Sequence, residues 1–290
     1  MKSMQCQERA KRVGLLGYPV AHSISPHIHN HAFRALKLPF EYVLLEVPPE
    51  DLAETVAALP ARGFVGANVT IPHKQAAMAL CEEVSGLSRL TSTVNTLYYD
   101  AGRLFGTTTD PAGFLRALAW MHHDAHGGDI VILGNGGVAR TLGVALAHDR
   151  IPSRLTIAGR NAGRVSYLAR DISDRTGFDA AWTTLDAADL RDRLATCTLL
   201  VNCTPVGMHP NTKASPLPDE CLHAGMTVFD TVYNPAETRL LAAARNAGCP
   251  CQNGLRMLLY QGLASFTCWT GVEAPESLFD IEELQKLTSA

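Results

Sequence analysis

Residues 130–139 read Ile-Val-Ile-Leu followed by Gly134-Asn135-Gly136-Gly137-Val138-Ala139. A G-x-G-x-x-A turn between a short apolar run and a helical pattern is compatible with few folds. The first glycine permits the tight turn, the second lets backbone approach a pyrophosphate, and the small last residue lets the helix pack on the strand. Amides at the helix start then face phosphate oxygens. The loop therefore predicts a dinucleotide site built from Gly134, Asn135, Gly136, Gly137, Val138 and Ala139. The neighbouring pattern agrees. Strands are expected at 130–133, 154–158, 198–202 and 227–233, with helices at about 137–148 and 162–173, the βαβαβ arrangement of a Rossmann-type domain. An NAD site places Asp or Glu at the end of the second strand. Here that end reads Ala158-Gly159-Arg160-Asn161, and no carboxylate occurs between Ile151 and Arg170. A guanidinium pairs with a 2′-phosphate that a carboxylate would repel. Arg160 and Arg164 thus favour NADP, although they also suit a solvated basic helix start.

A length of 290 residues is enough for about two domains. Hydrophobic residues make up 47% and charged residues 18%, as in an ordinary globular chain. A net charge of −3 leaves no basic excess for a nucleic-acid footprint. The first residues lack the apolar run of a signal peptide, and no stretch approaches the roughly 18 apolar residues of a membrane span. Eight cysteines occur without any CxxC, and Cys249 and Cys251 flank a single proline. That spacing makes no paired zinc site, so no metal is expected. Scattered thiols on apolar segments fit a reduced, cytoplasmic protein.

The first half also alternates strand and helix. Strands are expected at 12–17, 40–47 and 64–70, a helix opened by Ser25-Pro26 with Ser25 as its cap, and another helix over 50–59. Residues 94–107 read as a hairpin turning at Asp100-Ala101-Gly102. A helix over 111–121 precedes the polar connection HHDAHGGD, and residues 255–270 and 276–287 are helical. The whole is α/β with mainly parallel strands. Polar clusters sit at expected strand ends, where α/β folds bind ligands: His22–Ser25, Asn68–Lys74, Val94-Asn95-Thr96 and Thr108-Thr109-Asp110. Their short hydrogen-bonding side chains suit a polyhydroxylated ligand. Lys74 and Asp110 are the candidates for moving a proton, although each is also an ordinary cap or surface charge.

The blocks resemble those of the shikimate/quinate dehydrogenase family, in order and nearly end to end. They are GYPVAHSISP (17–26) with His29-Asn30, NVTIPHK (68–74), VNT (94–96), TTTD (107–110), GNGGVAR (134–140), NCTPVGM (202–208), Asp230 with Tyr233-Asn234-Pro235, and Asn253-Gly254-Leu255 with Met257, Gln261 and Gly262. The resemblance implies an N-terminal substrate domain over 1–112, rejoined by the helices of about 251–290, and an NADP-binding domain over 113–250. It implies reversible NADP-dependent reduction of 3-dehydroshikimate to shikimate, on the chorismate route of aromatic amino-acid biosynthesis. Lys74 and Asp110 would be the acid/base pair. Ser23 and Ser25 would bind the substrate carboxylate, with Thr70, Asn95, Tyr233 and Gln261 lining the pocket. Asn202, Thr204, Pro205, Gly254 and Met257 would join the glycine loop and the two arginines at the cofactor. Two departures flank this site: Thr108 stands where the family usually has Asn, and Ser92-Thr93 where it has Gly-Ala. They remove no titrating group but bear on substrate preference, and so keep open, as an alternative, a paralogue acting on quinate or an aminated analogue. A non-catalytic NADP-binding regulator is a further alternative, against which the retained Lys74 and Asp110 count. The expected partners are a small molecule and neither nucleic acid nor membrane, with the chain as monomer or homodimer.

Overall fold

The computed structural model describes residues 10–186 and 188–288; Cys6 lies outside them. The chain packs as two compact units. One comprises residues up to Ser88, Thr93–Thr109 and Gly262–Asp280; the other comprises Arg89–Ser92, Asp110–Gln261 and the residues from Ile281 onward.

In the first unit, β1 (Lys11–Gly17), β2 (Phe40–Glu46), β3 (Phe64–Val69), β4 (Glu83–Val84), β5 (Thr96–Asp100) and β6 (Arg103–Thr107) form a six-stranded sheet in the order β2-β1-β3-β5-β6-β4. β2, β1 and β3 run parallel, and β5 turns the sheet antiparallel. The β5–β6 hairpin pairs Asp100 with Arg103 around Ala101 and Gly102, both at positive φ. A two-residue turn of that hand matches the twist of the strands it joins. One face packs Leu16, Val47, Leu52, Phe64, Val69 and Leu97 into a core. On this unit, His29 of helix Ser25–Ala35 stacks on Tyr42 at 4.3 Å between the rings, against Phe266 and Trp269. At Gly66 a Cβ would lie 2.4 Å from the Leu97 carbonyl and 2.5 Å from Trp269 Nε1, so only glycine lets the indole donate to that carbonyl.

The second unit carries β7 (Asp129–Leu133), β8 (Arg154–Gly159), β9 (Ala181–Thr184), β10 (Leu199–Asn202), β11 (Thr227–Asp230) and β12 (Cys251–Asn253), all parallel, in the order β12-β11-β10-β7-β8-β9. This is the doubly wound dinucleotide-binding order. Strand order reverses between β7 and β10, so the loops leaving their carboxyl ends face one crevice. Buried Val131, Leu133, Leu200, Val228, Leu240 and Leu241 hold helices on the sheet.

The structure refines several expectations. Strands β4, β9 and β12 are additional, and β11 ends at Asp230 rather than at residue 233. Helix Ser25–Ala35 is not capped by Ser25: Ile24 holds the cap position and makes no side-chain cap bond. The helix expected over 276–287 is a single 3-10 turn, Glu276–Leu278, followed by helix Ile281–Thr288. That last helix belongs to the second unit, not with the first as expected for residues of about 251–290. Gln285 explains it, accepting from Asn253 Nδ2 at 2.7 Å and donating to the Tyr233 carbonyl at 3.0 Å.

Candidate active site

In the first unit, the turn after β1 brings two serines together. Ser23 Oγ accepts from the Ser25 amide at 3.2 Å and donates to Ser25 Oγ at 3.1 Å. Ser25 bonds the Tyr42 hydroxyl, which donates to Asn68 Oδ1 at 2.9 Å. Burial pushes the Tyr42 hydroxyl well above the ordinary tyrosine range, so it stays protonated and keeps its donor role. Asn68 Nδ2 donates to Ser265 Oγ at 2.9 Å. Ser265 contacts Thr96 and Thr109, which both bond Asn95. Ser23, Ser25 and Asn95 therefore sit on one hydrogen-bonded chain, and its members from Ser25 onward are at most 7% exposed.

Thr70 leaves β3 with its amide on the Leu16 carbonyl, and its Cγ2 would meet a Cβ at Gly17. His73, buried, bonds the Val47 carbonyl through Nε2 at 2.7 Å. This fixes the start of helix Lys74–Leu80, where Lys74 is half-buried and its carbonyl takes the Val94 amide. Thr108 Oγ1 is buried without a hydrogen-bond partner, and Ser92 holds positive φ.

In the second unit, Asp110 opens helix Asp110–Trp120 and is 5% exposed. At Gly113 of that helix a Cβ would meet the Met257 carbonyl and the Gln261 amide at 2.8 and 2.7 Å, so these helices cross backbone to backbone. Gln261 Nε2 donates to the Leu258 carbonyl. Burial raises the Tyr233 hydroxyl above its ordinary range.

The glycine loop is at the switch point of the second sheet. Gly134 has φ +112, and a Cβ there would lie 3.1 Å from the Cys203 carbonyl. Around Gly136 and Gly137 a Cβ would meet nothing within 4 Å. Helix Gly137–His148 begins there without a side-chain cap, and Ala139 is fully buried beneath it. Open backbone amides at a helix start, with room around Gly136 and Gly137 and the glycine-requiring turn at Gly134 before them, make a cradle that fits a pyrophosphate. Arg160 and Arg164 are exposed beyond β8, at the start of helix Ala162–Thr176, which Asn161 caps through the Arg164 amide.

Opposite the loop, Asn202 is fully buried. Its Oδ1 accepts from the Thr204 amide and hydroxyl at 3.0 and 2.7 Å, and its Nδ2 donates to Asp230 Oδ1 at 2.9 Å. Asp230 also accepts from the Val232 amide and, at 2.6 Å, from Thr238 Oγ1, the cap of helix Arg239–Asn246. Burial raises the Asp230 carboxyl to about 6 despite these donors. Pro205 follows on an exposed turn, and Gly254 sits where a Cβ would be 2.2 Å from the Thr231 carbonyl.

Residues 15–97 match the shikimate dehydrogenase substrate-binding domain, and residues 254–279 the shikimate 5′-dehydrogenase C-terminal domain. The chain is 43% identical, over 91% of each sequence, to the shikimate dehydrogenase (NADP(+)) of Methanopyrus kandleri. The chain belongs to the shikimate dehydrogenase family. Among solved structures, the shikimate 5-dehydrogenase of Thermus thermophilus in complex with NADP(H) and shikimate is 34% identical, with a TM-score of 0.84 over 96% of this chain and 99% of that one. The quinate dehydrogenase of Corynebacterium glutamicum in complex with NAD is 31% identical, with a TM-score of 0.82 over 96% and 98%.

Sequence reasoning missed three residues that hold these parts in place. Tyr42 reads as an apolar strand position, and Ser265 as a small residue on a helix face. Thr238 carried a readable signal, a threonine at the head of a helical run. Among the described residues, no group of three or more His, Cys, Asp or Glu could hold a metal ion, and no helix is long and apolar enough to cross a membrane.

Proposed function

We propose that this chain catalyses the reversible NADP-dependent reduction of 3-dehydroshikimate to shikimate, as a cytoplasmic step of aromatic amino-acid biosynthesis. The observation that carries the reading is the hydrogen-bonded chain linking Ser23, Ser25 and Asn95. It lines up hydroxyl and amide groups suited to a ligand with one carboxylate and several hydroxyls. The names of close relatives and the ligands of solved family members support the same substrate and cofactor. The described cysteines are free thiols, which supports a reducing compartment.

In this reading Ser23 and Ser25 bind the substrate carboxylate, and Thr70, Asn95, Tyr233 and Gln261 orient the ring hydroxyls. Lys74 and Asp110 form the acid/base pair at the reacting oxygen: Lys74 gives the proton to the carbonyl oxygen in reduction and takes it back in oxidation. Gly134, Asn135, Gly136, Gly137, Val138 and Ala139 would hold the pyrophosphate. Arg160 and Arg164 would pair with the 2′-phosphate, with Asn202, Thr204, Pro205, Gly254 and Met257 beside the remainder of NADP. When bound, NADP supplies or accepts the hydride; the protein supplies position and charge.

The test is Lys74→Ala, assayed with shikimate and NADP. A general acid/base group contributes about 10²–10⁴-fold, so turnover should fall by that factor while the variant folds normally. Turnover within about threefold of the parent would remove Lys74 from the chemistry.

A further inference from the structure

The bonds around Asn95 close into a ring through Ser265, a fully buried residue of helix Leu255–Thr270. The Thr109 amide donates to Asn95 Oδ1 at 2.9 Å, which fixes which end of the carboxamide is oxygen. Thr96 Oγ1, 2.8 Å from that oxygen, must therefore give its proton to it. With its proton so committed, Thr96 accepts from Ser265 across 2.7 Å. Ser265 accepts from Asn68 Nδ2 at 2.9 Å, and Thr109 Oγ1 lies 3.2 Å from both Ser265 Oγ and Asn95 Oδ1, between which its proton is shared. Thr109 accepts from Asn95 Nδ2 at 2.9 Å, and the ring is complete.

We infer that Ser265 is a positioning residue for the reaction: its hydroxyl locks the carboxamide of Asn95 and the placement of Thr109, the residue before Asp110. It makes the shortest of the three bonds by which the Asn68 amide reaches the ring, 2.9 Å against 3.1 Å to the Asn95 carbonyl and 3.3 Å to Thr96 Oγ1, and so helps join the ring to Tyr42 and the serine pair. An alanine here would remove one contact each from Thr96, Thr109 and Asn68 in a dry environment, and so loosen the hydroxyls that hold the Asn95 carboxamide while the Thr109 amide keeps its orientation. This inference rests on the proposed function, in which Asn95 touches substrate.

The experiment compares the parent with Ser265→Ala, Thr96→Val and the double variant in steady-state kinetics with shikimate and NADP, alongside thermal unfolding. Removing a buried hydrogen-bond partner is expected to raise KM for shikimate about 10-fold, with KM for NADP changed less than about 2-fold and kcat lowered less than KM is raised. Both substitutions open the same ring, so the double variant should be no worse than the more severe single one. Thr96→Val is nearly isosteric and carries the test if Ser265→Ala does not fold. Equal rises in KM for shikimate and NADP, additive losses, or variants within about 2-fold of the parent would overturn the positioning role while leaving the proposed function intact. A folded parent that does not turn over shikimate would overturn the proposed function, and this inference with it.

Discussion

Asp230 offers a test of the buried network beside the glycine loop. Its carboxyl is fully buried and is raised from 3.8 to about 6 because burial outweighs its three donors. A raised carboxyl means the folded state holds a proton that the unfolded chain has already released, so stability from this group falls as pH rises through that window. The resulting penalty is about 1 kcal/mol at about pH 4.5 and about 3 kcal/mol at about pH 7.5. Asp230→Asn mimics the protonated form: its oxygen can still accept from Asn202 and Val232, and its amide can donate to Thr238 Oγ1. The variant gains nothing at low pH and escapes the penalty at high pH. In urea unfolding, its stability relative to the parent should therefore rise by about 2 kcal/mol between those two pH values. Comparing variant with parent cancels every other titrating group. A relative stability that stays flat with pH, or falls, would refute the assignment of a buried, destabilised carboxylate.

Other consequences follow from single residues. Burial among Tyr42, Phe266 and Trp269 lowers His29 to about 3, so the folded state refuses a proton that the unfolded chain takes below its ordinary 6.5. Stability from this group is full above pH 6.5 and lost as pH falls toward 3; His29→Phe should flatten the acid limb of a pH–stability profile, and an unchanged limb would exclude His29 as its cause. Arg160→Leu should raise KM for NADP by roughly 10- to 150-fold, the worth of a charge-assisted contact, with little effect on KM for NAD; equal effects would mean that Arg160 does not read the 2′-phosphate. Ser25→Ala should penalise shikimate more than its carboxamide, with kcat nearly unchanged; equal penalties would place the carboxylate elsewhere.

What could be read from the sequence was what local chemistry dictates. The turn at Gly134 was legible because a φ of +112 pressed against the Cys203 carbonyl leaves room for nothing but glycine. The β5–β6 hairpin was legible because its Ala-Gly turn fixes the register. Strands β9 and β12 were not, because Ala-Trp-Thr-Thr and Cys-Gln-Asn are short edge segments with no alternation of their own. The ring around Asn95 was hidden for a different reason. Ser265 meets Thr109, Thr96 and Asn68 across 156, 169 and 197 residues of chain, a distance at which spacing carries no signal. Capping at Ser25 was misjudged because its amide and hydroxyl are both taken by Ser23 in the preceding turn, a competing local bond.

The central claim is most directly tested by steady-state oxidation of shikimate and of quinate, each with NADP and with NAD, followed by nicotinamide absorbance. The highest kcat/KM is expected for shikimate with NADP. A higher kcat/KM for quinate or for NAD, or no turnover of shikimate by the folded protein, would contradict it.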